Sequence, residues 1–483
     1  MEAARVETSV FTDLLLDRVD LVPGTKGSGK SALYRIFVDF LAPALLANRK
    51  VVVAHGVQSH GDSVFMAFHE QFEELSEDEF VDFWCIYLVS LAHEQFVKSP
   101  TYGNLLSGCE SEIAAFKRAC ERARIPEIAA AKSLKDILDW ALNALRGFRP
   151  HVAVTIPDRT KLDLDLFGEP VAPPSRTTAQ IADPLPRYVG EVKEALEALL
   201  SRSDLALWLM IDRLDEIFPR RSVVETKALR GLLRTLRIFV SARIRVKVFL
   251  RDDILEQVTT GGQGFTALTH ITARQADTLK WSPDSILTLV TKRLFASETL
   301  CSFTGVDPER LAASPEFRLE AFYRVFPRTV YSPPNQSETL RWIYTHTMDG
   351  RRVVTPRDVI DLLTKAKQQQ QDEYQSDQEG ETDSIIGSAA IRYGLSELSA
   401  RKRDTYLRAE LPHLWPDIER FRGQKTEWTE SALGSLLGKR SKVVVSDLVS
   451  IGFLAPATTG GRRTYKVPFV YRDGLELTQG RMP

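Results

Sequence analysis

The chain has 483 residues, more than one hydrophobic core usually holds, so we expect at least two domains. Apolar residues make up 43% and charged residues 26% of the sequence, a balance that excludes a disordered or collagen-like chain. Because 63 Lys and Arg nearly cancel 64 Asp and Glu, a basic surface for nucleic acid would have to be local.

The sequence gives little indication of disulfide bonds, bound zinc, a signal peptide or a membrane-spanning helix. The four cysteines show neither a CxxC spacing nor a zinc-ligand spacing, so we expect reduced thiols. The segment 1–20 carries acidic residues through its short apolar run and has no small-residue cleavage site, which predicts no signal peptide. Every stretch of about 18 residues contains charges, which predicts no membrane-spanning helix. We therefore expect a cytoplasmic protein without a membrane partner.

Short apolar runs alternate with longer amphipathic stretches as far as about residue 275, a pattern that predicts an α/β fold with a parallel sheet flanked by helices. The strand candidates are 19–22, 50–54, 205–212 and 246–250, with a short fifth strand at 270–272. Further helices are expected at 77–97, 110–122, 134–146 and 188–201, and a hairpin at 162–167. We interpret 1–275 as one core domain and about 77–185 as a helical and hairpin insertion in it.

The rest of the chain divides by composition. Residues 276–366 show a helical pattern and are predicted to form a lid. Residues 367–388 are acidic, Gln-rich and nearly free of aliphatic side chains, which predicts a flexible linker. Residues 389–483 form a predicted separate domain in which sixteen Lys and Arg face ten Asp and Glu.

The segment 24–31, GTKGSGKS, fits the phosphate-loop (Walker A) pattern GxxxxGK[ST] at every fixed position. It follows an apolar run and opens an amphipathic helix, which favours a nucleotide-binding loop over a chance Gly-rich turn. Backbone N–H groups would surround a phosphate, Lys30 would reach it, and the Ser31 hydroxyl would coordinate Mg²⁺. The predicted ligands are ATP and Mg²⁺, and the predicted loop residues are Gly24, Thr25, Lys26, Gly27, Ser28, Gly29, Lys30 and Ser31.

An acidic segment, DRLDE at 212–216, ends the apolar run 205–212. A carboxylate at the tip of a buried strand can hold Mg²⁺ through water, and we assign this role to Asp212. Hydrolysis needs a second carboxylate to orient the attacking water, and Glu216 is slightly favoured over Asp215. A solvated acidic loop is the alternative for this segment taken alone.

Five segments together resemble a bacterial family of P-loop ATPases related to the STAND and origin-recognition-type AAA+ ATPases: KGSGKSALYR, MIDRLDEIF, VFLRDDIL, LKWSPDSILTLVTKRL and TPRDVIDLL. The resemblance spans most of residues 1–365. It implies a P-loop NTPase core with an additional strand between Walker A and Walker B, a helical lid, and assembly into a homo-oligomer. It also implies a role in antiphage defence. Because the chain has neither a sensor-repeat array nor an effector segment, an effector protein would act in trans.

The resemblance also suggests arginines that read the γ-phosphate. Arg251 directly follows the run 246–250, a position at which a polar residue often reads the γ-phosphate. The alternative is an ordinary surface arginine. Thr355 and Pro356 predict a helix start with Arg357 in its first turn. Arg357 would touch the γ-phosphate or pair with a nearby carboxylate of Asp358 or Asp361. The sequence does not choose among three arginine-finger candidates, Arg220, Arg221 and Arg243.

Residues 389–483 resemble a winged helix, with the wing tip at 458–463. Lys439, Arg440 and Lys442 would flank the helix that enters the major groove, so double-stranded DNA is an alternative partner through 439–463. In origin-recognition-type ATPases this module binds DNA, whereas in STAND proteins it folds back on the nucleotide site as a brake. The excess of six positive charges does not separate these alternatives.

Three functions remain open. The first is an ATP-dependent oligomeric switch that hydrolyses ATP slowly and controls an effector in antiphage defence. The second is a DNA-binding ATPase that loads on duplex through its winged helix. The third is a scaffold that binds nucleotide without turning it over.

Overall fold

The computed structural model of the chain has two compact units. The loop unit consists of Met1–Arg18, Val22–Ile36 and Ala276–Pro483, and the sheet unit consists of Val19–Leu21 and Phe37–Gln275. The structure describes residues 5–56, 75–98, 102, 104–123, 185–214, 222–260, 272–331, 337–376 and 384–482.

Helices and strands alternate in the first 275 residues, and helices dominate afterwards. The first group is α1 (Ser9–Leu15), β1 (Leu21–Gly24), α2 (Lys30–Arg35), α3 (Ala42–Arg49), β2 (Val51–His55), α4 (Glu77–His93), α5 (Glu110–Arg122), α6 (Leu185–Arg202), β3 (Ala206–Ile211), α7 (Val223–Phe239), β4 (Ile244–Arg251) and α8 (Asp252–Thr260). The second group is α9 (Pro283–Leu294), α10 (Glu298–Thr304), α11 (Pro308–Ala313), α12 (Pro315–Tyr323), α13 (Thr339–His346), α14 (Pro356–Gln375), α15 (Ser388–Lys402), α16 (Trp415–Glu419), β5 (Lys425–Thr429), α17 (Glu430–Leu437), α18 (Ser441–Ser450), β6 (Ala455–Thr459), β7 (Arg462–Lys466), α19 (Phe469–Arg472) and β8 (Thr478–Arg481). None of these described helices combines the length and apolar character needed to cross a membrane.

The first four strands form one sheet in the order β1-β4-β3-β2. β2 runs parallel to β3, with Val51 opposite Ala206, and β3 runs parallel to β4, with Leu207 opposite Ile244. Almost all of their side chains are buried, which explains why their sequences are continuous apolar runs instead of alternating ones. β4 lies between β1 and β3, so the sheet contains the additional strand that the resemblance implies.

The predictions for these four strands are confirmed to within two residues at each end. The fifth strand expected at 270–272 lies largely outside the described residues, and Thr272 itself is helical. Gln275 instead forms an isolated parallel bridge with Leu21. The helix predicted at 134–146 and the hairpin predicted at 162–167 also lie outside the described residues.

The helix predicted from residue 77 lies in the core of the sheet unit. Ser76 starts α4 with a capping box: the Glu79 N–H donates to the Ser76 hydroxyl at 3.3 Å, and the Ser76 N–H donates to the Glu79 carboxylate at 2.7 Å. Most of the following side chains are buried. Trp84 donates its indole N–H to Ala228 O of α7 at 2.8 Å. The sequence predicts this helix, and the structure shows that it packs in the core of the sheet unit.

A second hydrophobic core lies in the loop unit. Its buried side chains extend from Ile286 in α9 to Leu475 near the C terminus. α14 and α15 approach so closely that a Cβ built on Gly394 would lie 2.4 Å from Leu362 O. The sequence predicts two separate domains here, 276–366 and 389–483, whereas the structure joins them through one continuous core.

The flexible linker predicted at 367–388 is wrong for its first part. α14 continues through 367–375, and the structure describes the chain again from Ser384. Gln370 is buried, and its side-chain oxygen accepts the Gly387 N–H at 2.7 Å. Glutamine has a high helix propensity, and its amide can be buried when it is hydrogen-bonded, so a scarcity of aliphatic residues does not by itself end a helix. Residues 377–383 lie outside the described residues.

A small second sheet completes the C-terminal segment, in the order β6-β7-β5-β8. β6 and β7 form an antiparallel hairpin in which Thr459 lies opposite Arg462. Gly460 and Gly461, between them, have φ values of 59° and 74°, which glycine adopts at low cost. The turn of this hairpin lies within 458–463, the segment that the resemblance assigns to the wing tip, and the winged helix as a whole stays a prediction.

Candidate functional site

The backbone of the loop between β1 and α2 depends on its glycines. Gly27 has a φ of 82° and Gly29 a φ of 100°, both in the left-handed region that favours glycine. Gly24 is restricted by space, because a Cβ there would lie 2.6 Å from Ser28 Oγ. Each glycine of the segment 24–31 therefore has a conformational or steric reason to be glycine.

Lys30, the first residue of α2, folds back over this loop. Its ammonium group donates to Gly24 O at 2.6 Å and to Thr25 O at 2.9 Å. These contacts hold a positive charge at the loop. An anion that binds there can attract this ammonium group away from two neutral carbonyls, because hydrogen bonds between ions are stronger.

Two hydroxyl groups of the loop are buried. Thr25 is 5% exposed and Ser28 is 1% exposed. Within the described part of the chain, neither Oγ atom has a hydrogen-bond partner. A buried hydroxyl without a partner costs about 1–3 kcal/mol. Oxygen-rich ligands or water would satisfy both groups, so the loop fits a phosphate.

Two residues that precede α9 contact the loop within the loop unit. The Leu279 N–H donates to Pro23 O at 3.1 Å. The Trp281 indole N–H donates to Ser28 O at 2.7 Å. Sequence reasoning missed both contacts, because the sequence LKWSPD indicates only the start of a helix.

Arg357 lies against the loop at the start of α14. Thr355 caps this helix, as predicted, and its hydroxyl accepts the Asp358 N–H at 3.2 Å. A Cβ built on Gly27 would lie 3.1 Å from Arg357 Cβ and 3.3 Å from Thr355 Oγ1. The first turn of α14 therefore packs directly on the loop.

The two carboxylates considered as partners of Arg357 pair with other cations. Asp358 Oδ2 accepts from Lys402 at 2.6 Å, and Asp361 Oδ2 lies 3.2 Å from Arg401. Burial raises the pKa of Asp361, and the positive charges of Arg401 and, more weakly, of Arg357 partly offset that effect. The role of Arg357 at a phosphate stays a prediction.

Lys26, inside the loop, forms an ion pair with Glu410. Glu410 follows the helical segment Arg403–Arg408, and its side chain is only 8% exposed, compared with 37% for Lys26. A carboxylate therefore competes with any phosphate for this lysine. Sequence reasoning did not identify Glu410, since an acidic residue 384 positions after Lys26 has no local signal.

In the sheet unit, Asp212 follows β3 directly. β3 is buried over nearly its whole length, so Asp212 is the first carboxylate after an apolar strand, as predicted. The next residue, Arg213, has a φ of 59°, a conformation that is uncommon outside glycine. Asp215 and Glu216 lie outside the described residues, and the choice between them as water-orienting base stays a prediction.

Arg251, the last residue of β4, pairs with a neighbour. Its Nε and Nη2 donate to the two carboxylate oxygens of Asp253 at 2.9 and 2.7 Å. This bidentate pair holds the guanidinium group at the first turn of α8. The role of Arg251 as a phosphate sensor stays a prediction.

One of the three arginine-finger candidates, Arg243, lies within the described residues. Arg243 donates to Leu205 O at 3.1 Å and to Asp204 Oδ1 at 3.4 Å. These contacts attach it to the start of β3. Arg220 and Arg221 lie outside the described residues.

The basic residues predicted to contact DNA are exposed on two elements of the C-terminal segment. Lys439, Arg440 and Lys442 lie at the start of α18, and Arg462 and Arg463 lie at the tip of the β6–β7 hairpin. Two of these five residues, Arg440 and Arg463, each have a carboxylate oxygen at 3.9 Å. Contact with DNA stays a prediction.

Comparison with known proteins gives distant similarities. No protein-family model and no curated protein matches the chain. The ORC2 protein of Aeropyrum pernix, in ADPNP–ADP complexes, is 12% identical over 96% of this chain and 90% of its own, with a TM-score of 0.41. A Walker-type ATPase of Pyrococcus abyssi is 12% identical over 98% of this chain and 94% of its own, with a TM-score of 0.37. Scores this low establish no shared fold, so the function is argued from the residues of this chain.

Proposed function

We propose that the chain binds MgATP through the loop Gly24–Ser31 and hydrolyses it. One observation carries this proposal: Gly27 and Gly29 shape a loop over which Lys30 is already folded. A positive charge held at a glycine loop that opens a helix suits the oxygens of a polyphosphate. The buried hydroxyls of the loop support the same ligand.

In this proposal Lys30 leaves the loop carbonyls and binds phosphate oxygens, and Arg357 adds a second positive charge from α14. The assignment of Mg²⁺ to Ser31 and Asp212 rests on the sequence. Mg²⁺ supplies positive charge that stabilises the phosphoryl group during its transfer. Glu216, or Asp215 in its place, accepts a proton from the attacking water.

The loop assignment is tested by measuring MgATP binding to Lys30→Ala calorimetrically. We expect an affinity loss of about a hundredfold, because the variant lacks the charged donor to phosphate. Lys367→Ala, which removes an exposed lysine from α14, serves as the matched control and should bind like the wild type. Tight binding of MgATP by Lys30→Ala would show that the loop assignment is wrong.

Turnover is tested separately with Asp212→Asn, Glu216→Ala and Asp215→Ala. We expect Asp212→Asn to bind Mg²⁺ more weakly. We expect one of the other two variants to bind ATP without hydrolysing it. If both Glu216→Ala and Asp215→Ala hydrolyse ATP at the wild-type rate, the assignment of the base is wrong. A wild-type protein that binds but does not hydrolyse ATP would be a nucleotide-binding scaffold.

We further propose that the bound nucleotide acts as a switch for assembly. The contacts of Arg357 and Glu410 with the loop support this, because a phosphate there would change the partners of side chains in two later segments. The mass of the protein with Mg²⁺ and ATP, ADP or no nucleotide tests it, with and without duplex DNA. A nucleotide-dependent oligomer that ignores DNA is expected.

An assembly that requires DNA would instead favour an ATPase that loads on duplex through 439–463 and its proposed winged helix. A mass that never changes would contradict the switch. An effector partner in trans and an antiphage role stay predictions of the resemblance.

A further inference from the structure

Trp281 is placed to orient one peptide of the phosphate loop. Its indole N–H donates to Ser28 O at 2.7 Å. Its ring covers the next residue, since a Cβ built on Gly29 would lie 3.6 Å from Trp281 Cζ2. Both contacts lie within the loop unit.

The direction of this hydrogen bond has a consequence for the loop. In a planar trans peptide, the C=O and the following N–H point in opposite directions. Because Ser28 O points to the indole, the Gly29 N–H points away from it. Gly29 has a φ of 100° and no Cβ that would restrict its backbone conformation. The indole hydrogen bond therefore helps to fix the orientation of this peptide.

Trp281 is itself held firmly. The Tyr344 hydroxyl donates to Trp281 O at 2.9 Å. The next residue, Ser282, caps α9 through its hydroxyl, which accepts the Ser285 N–H at 3.1 Å. The Trp281 ring also packs against the buried cluster of the loop unit. These contacts hold the Trp281 main chain and ring in the position from which the indole donates to Ser28 O.

We propose that Trp281 is a positioning residue for phosphate binding: its indole fixes the Ser28–Gly29 peptide so that the Gly29 N–H is presented to a nucleotide phosphate. This proposal rests on the nucleotide-binding function proposed above. The residue acts through the loop backbone and does not itself touch the phosphate. A tryptophan that only filled space would affect stability and leave nucleotide affinity unchanged.

The test compares Trp281→Phe with Trp415→Phe. The first keeps an aromatic ring and removes the N–H, and the second makes the same change at another partly buried tryptophan of the loop unit. We expect Trp281→Phe to weaken MgATP and MgADP binding about tenfold, the size expected for one well-placed hydrogen bond. KM for ATP should rise by a similar factor while kcat changes less than about twofold. Trp415→Phe should leave both values unchanged.

Tryptophan fluorescence gives a readout that does not depend on turnover. We expect MgADP to change the emission of the wild type and of Trp415→Phe, and to change that of Trp281→Phe much less. Tyr344→Phe provides a second variant, should Trp281→Phe fold poorly, and a smaller loss of affinity in the same direction is expected.

The outcomes separate the two proposals. If the wild type does not bind MgATP, the proposed function fails. If the wild type binds and Trp281→Phe and Tyr344→Phe bind equally well, only the positioning role of Trp281 is overturned. A loss of thermal stability in Trp281→Phe with unchanged nucleotide affinity would also overturn it.

Discussion

Lys247 lies fully buried in β4 and donates to Asp20 Oδ1 at 2.8 Å. The same ammonium group donates to Val19 O at 2.7 Å and lies 4.7 Å from the centroid of the Trp208 ring. Arg274 holds the other side of the carboxylate, with Nε 2.5 Å from Asp20 Oδ2. One buried carboxylate therefore serves two cations and connects the chain before β1 to β4 and to the segment around Arg274.

This arrangement predicts unequal losses of stability. Asp20→Ala leaves the buried Lys247 ammonium group without its carboxylate, and we expect a loss of about 3–5 kcal/mol. Lys247→Met leaves Asp20 paired with Arg274 and places an apolar chain against Trp208, so the loss should be smaller. Urea unfolding of the two variants measures the difference. Equal losses of stability in the two variants would show that the ion pair with Arg274 alone does not stabilise the buried Asp20 carboxylate.

The stability of the loop unit should depend on pH through His346. Its ring stacks on Trp342 and lies tilted against Phe469, with centroid distances of 4.0 Å to each. Burial lowers the pKa of His346 to about 4. In the unfolded chain its pKa is about 6.5, so the folded state binds fewer protons between these values. The stabilisation is complete above about pH 6.5 and is lost as the pH falls towards 4.

The loss is at most about 3.5 kcal/mol, since one pKa unit corresponds to about 1.4 kcal/mol. Comparison of the wild type with His346→Gln isolates this group from other titrations, because the amide does not titrate in this range. The free energy of unfolding should fall more steeply for the wild type between pH 7 and pH 5. Parallel pH profiles would contradict the assignment.

The contact between α14 and α15 predicts contrasting effects for the same substitution at two helical glycines. Gly394→Ala would place a methyl group 2.4 Å from Leu362 O, so the helices must separate, and we expect a loss of about 1–3 kcal/mol. Gly434→Ala in α17 meets no atom within 4 Å and should be neutral or stabilise by up to about 1 kcal/mol. Thermal unfolding measures both, and a neutral Gly394→Ala would exclude the close approach.

The ion pair of Lys26 and Glu410 predicts an effect on nucleotide affinity. Glu410→Gln removes the carboxylate that pairs with Lys26 and that, under the proposed function, competes with a nucleotide phosphate for this lysine. Because Lys26 is partly exposed, the pair contributes up to about 1 kcal/mol, and we expect ATP to bind about fivefold more tightly. Glu430→Gln, which neutralises an exposed glutamate of the same unit, is the control. Unchanged affinity for ATP in Glu410→Gln would show that this pair does not compete with nucleotide.

The sequence predicts those features that have a local pattern. Apolar runs locate the four strands because parallel strands are buried on both faces. Spacing alone identifies the loop at 24–31, and Thr355 followed by Pro356 identifies the start of α14. These signals lie within a few residues of the structure that they predict.

The remainder depends on contacts between distant segments. Nothing around Trp281 or Glu410 in the sequence indicates that their side chains reach the loop. The same reason explains the incorrect linker, because the burial of Gln370 depends on its bond to Gly387 and not on local composition. The shared core of the two C-terminal segments likewise has no signal in either segment alone.

The order of these segments along the chain has a consequence during translation. The ribosome makes the loop at 24–31 before Trp281, which lies 253 positions after Ser28, and it makes Glu410 later still. N-terminal regions generally begin to fold while synthesis continues. A nascent chain that ends before Trp281 therefore has the complete segment 24–31 but lacks the Trp281 and Glu410 side chains that contact it, so under the proposed function it should bind ATP more weakly than the 483-residue chain.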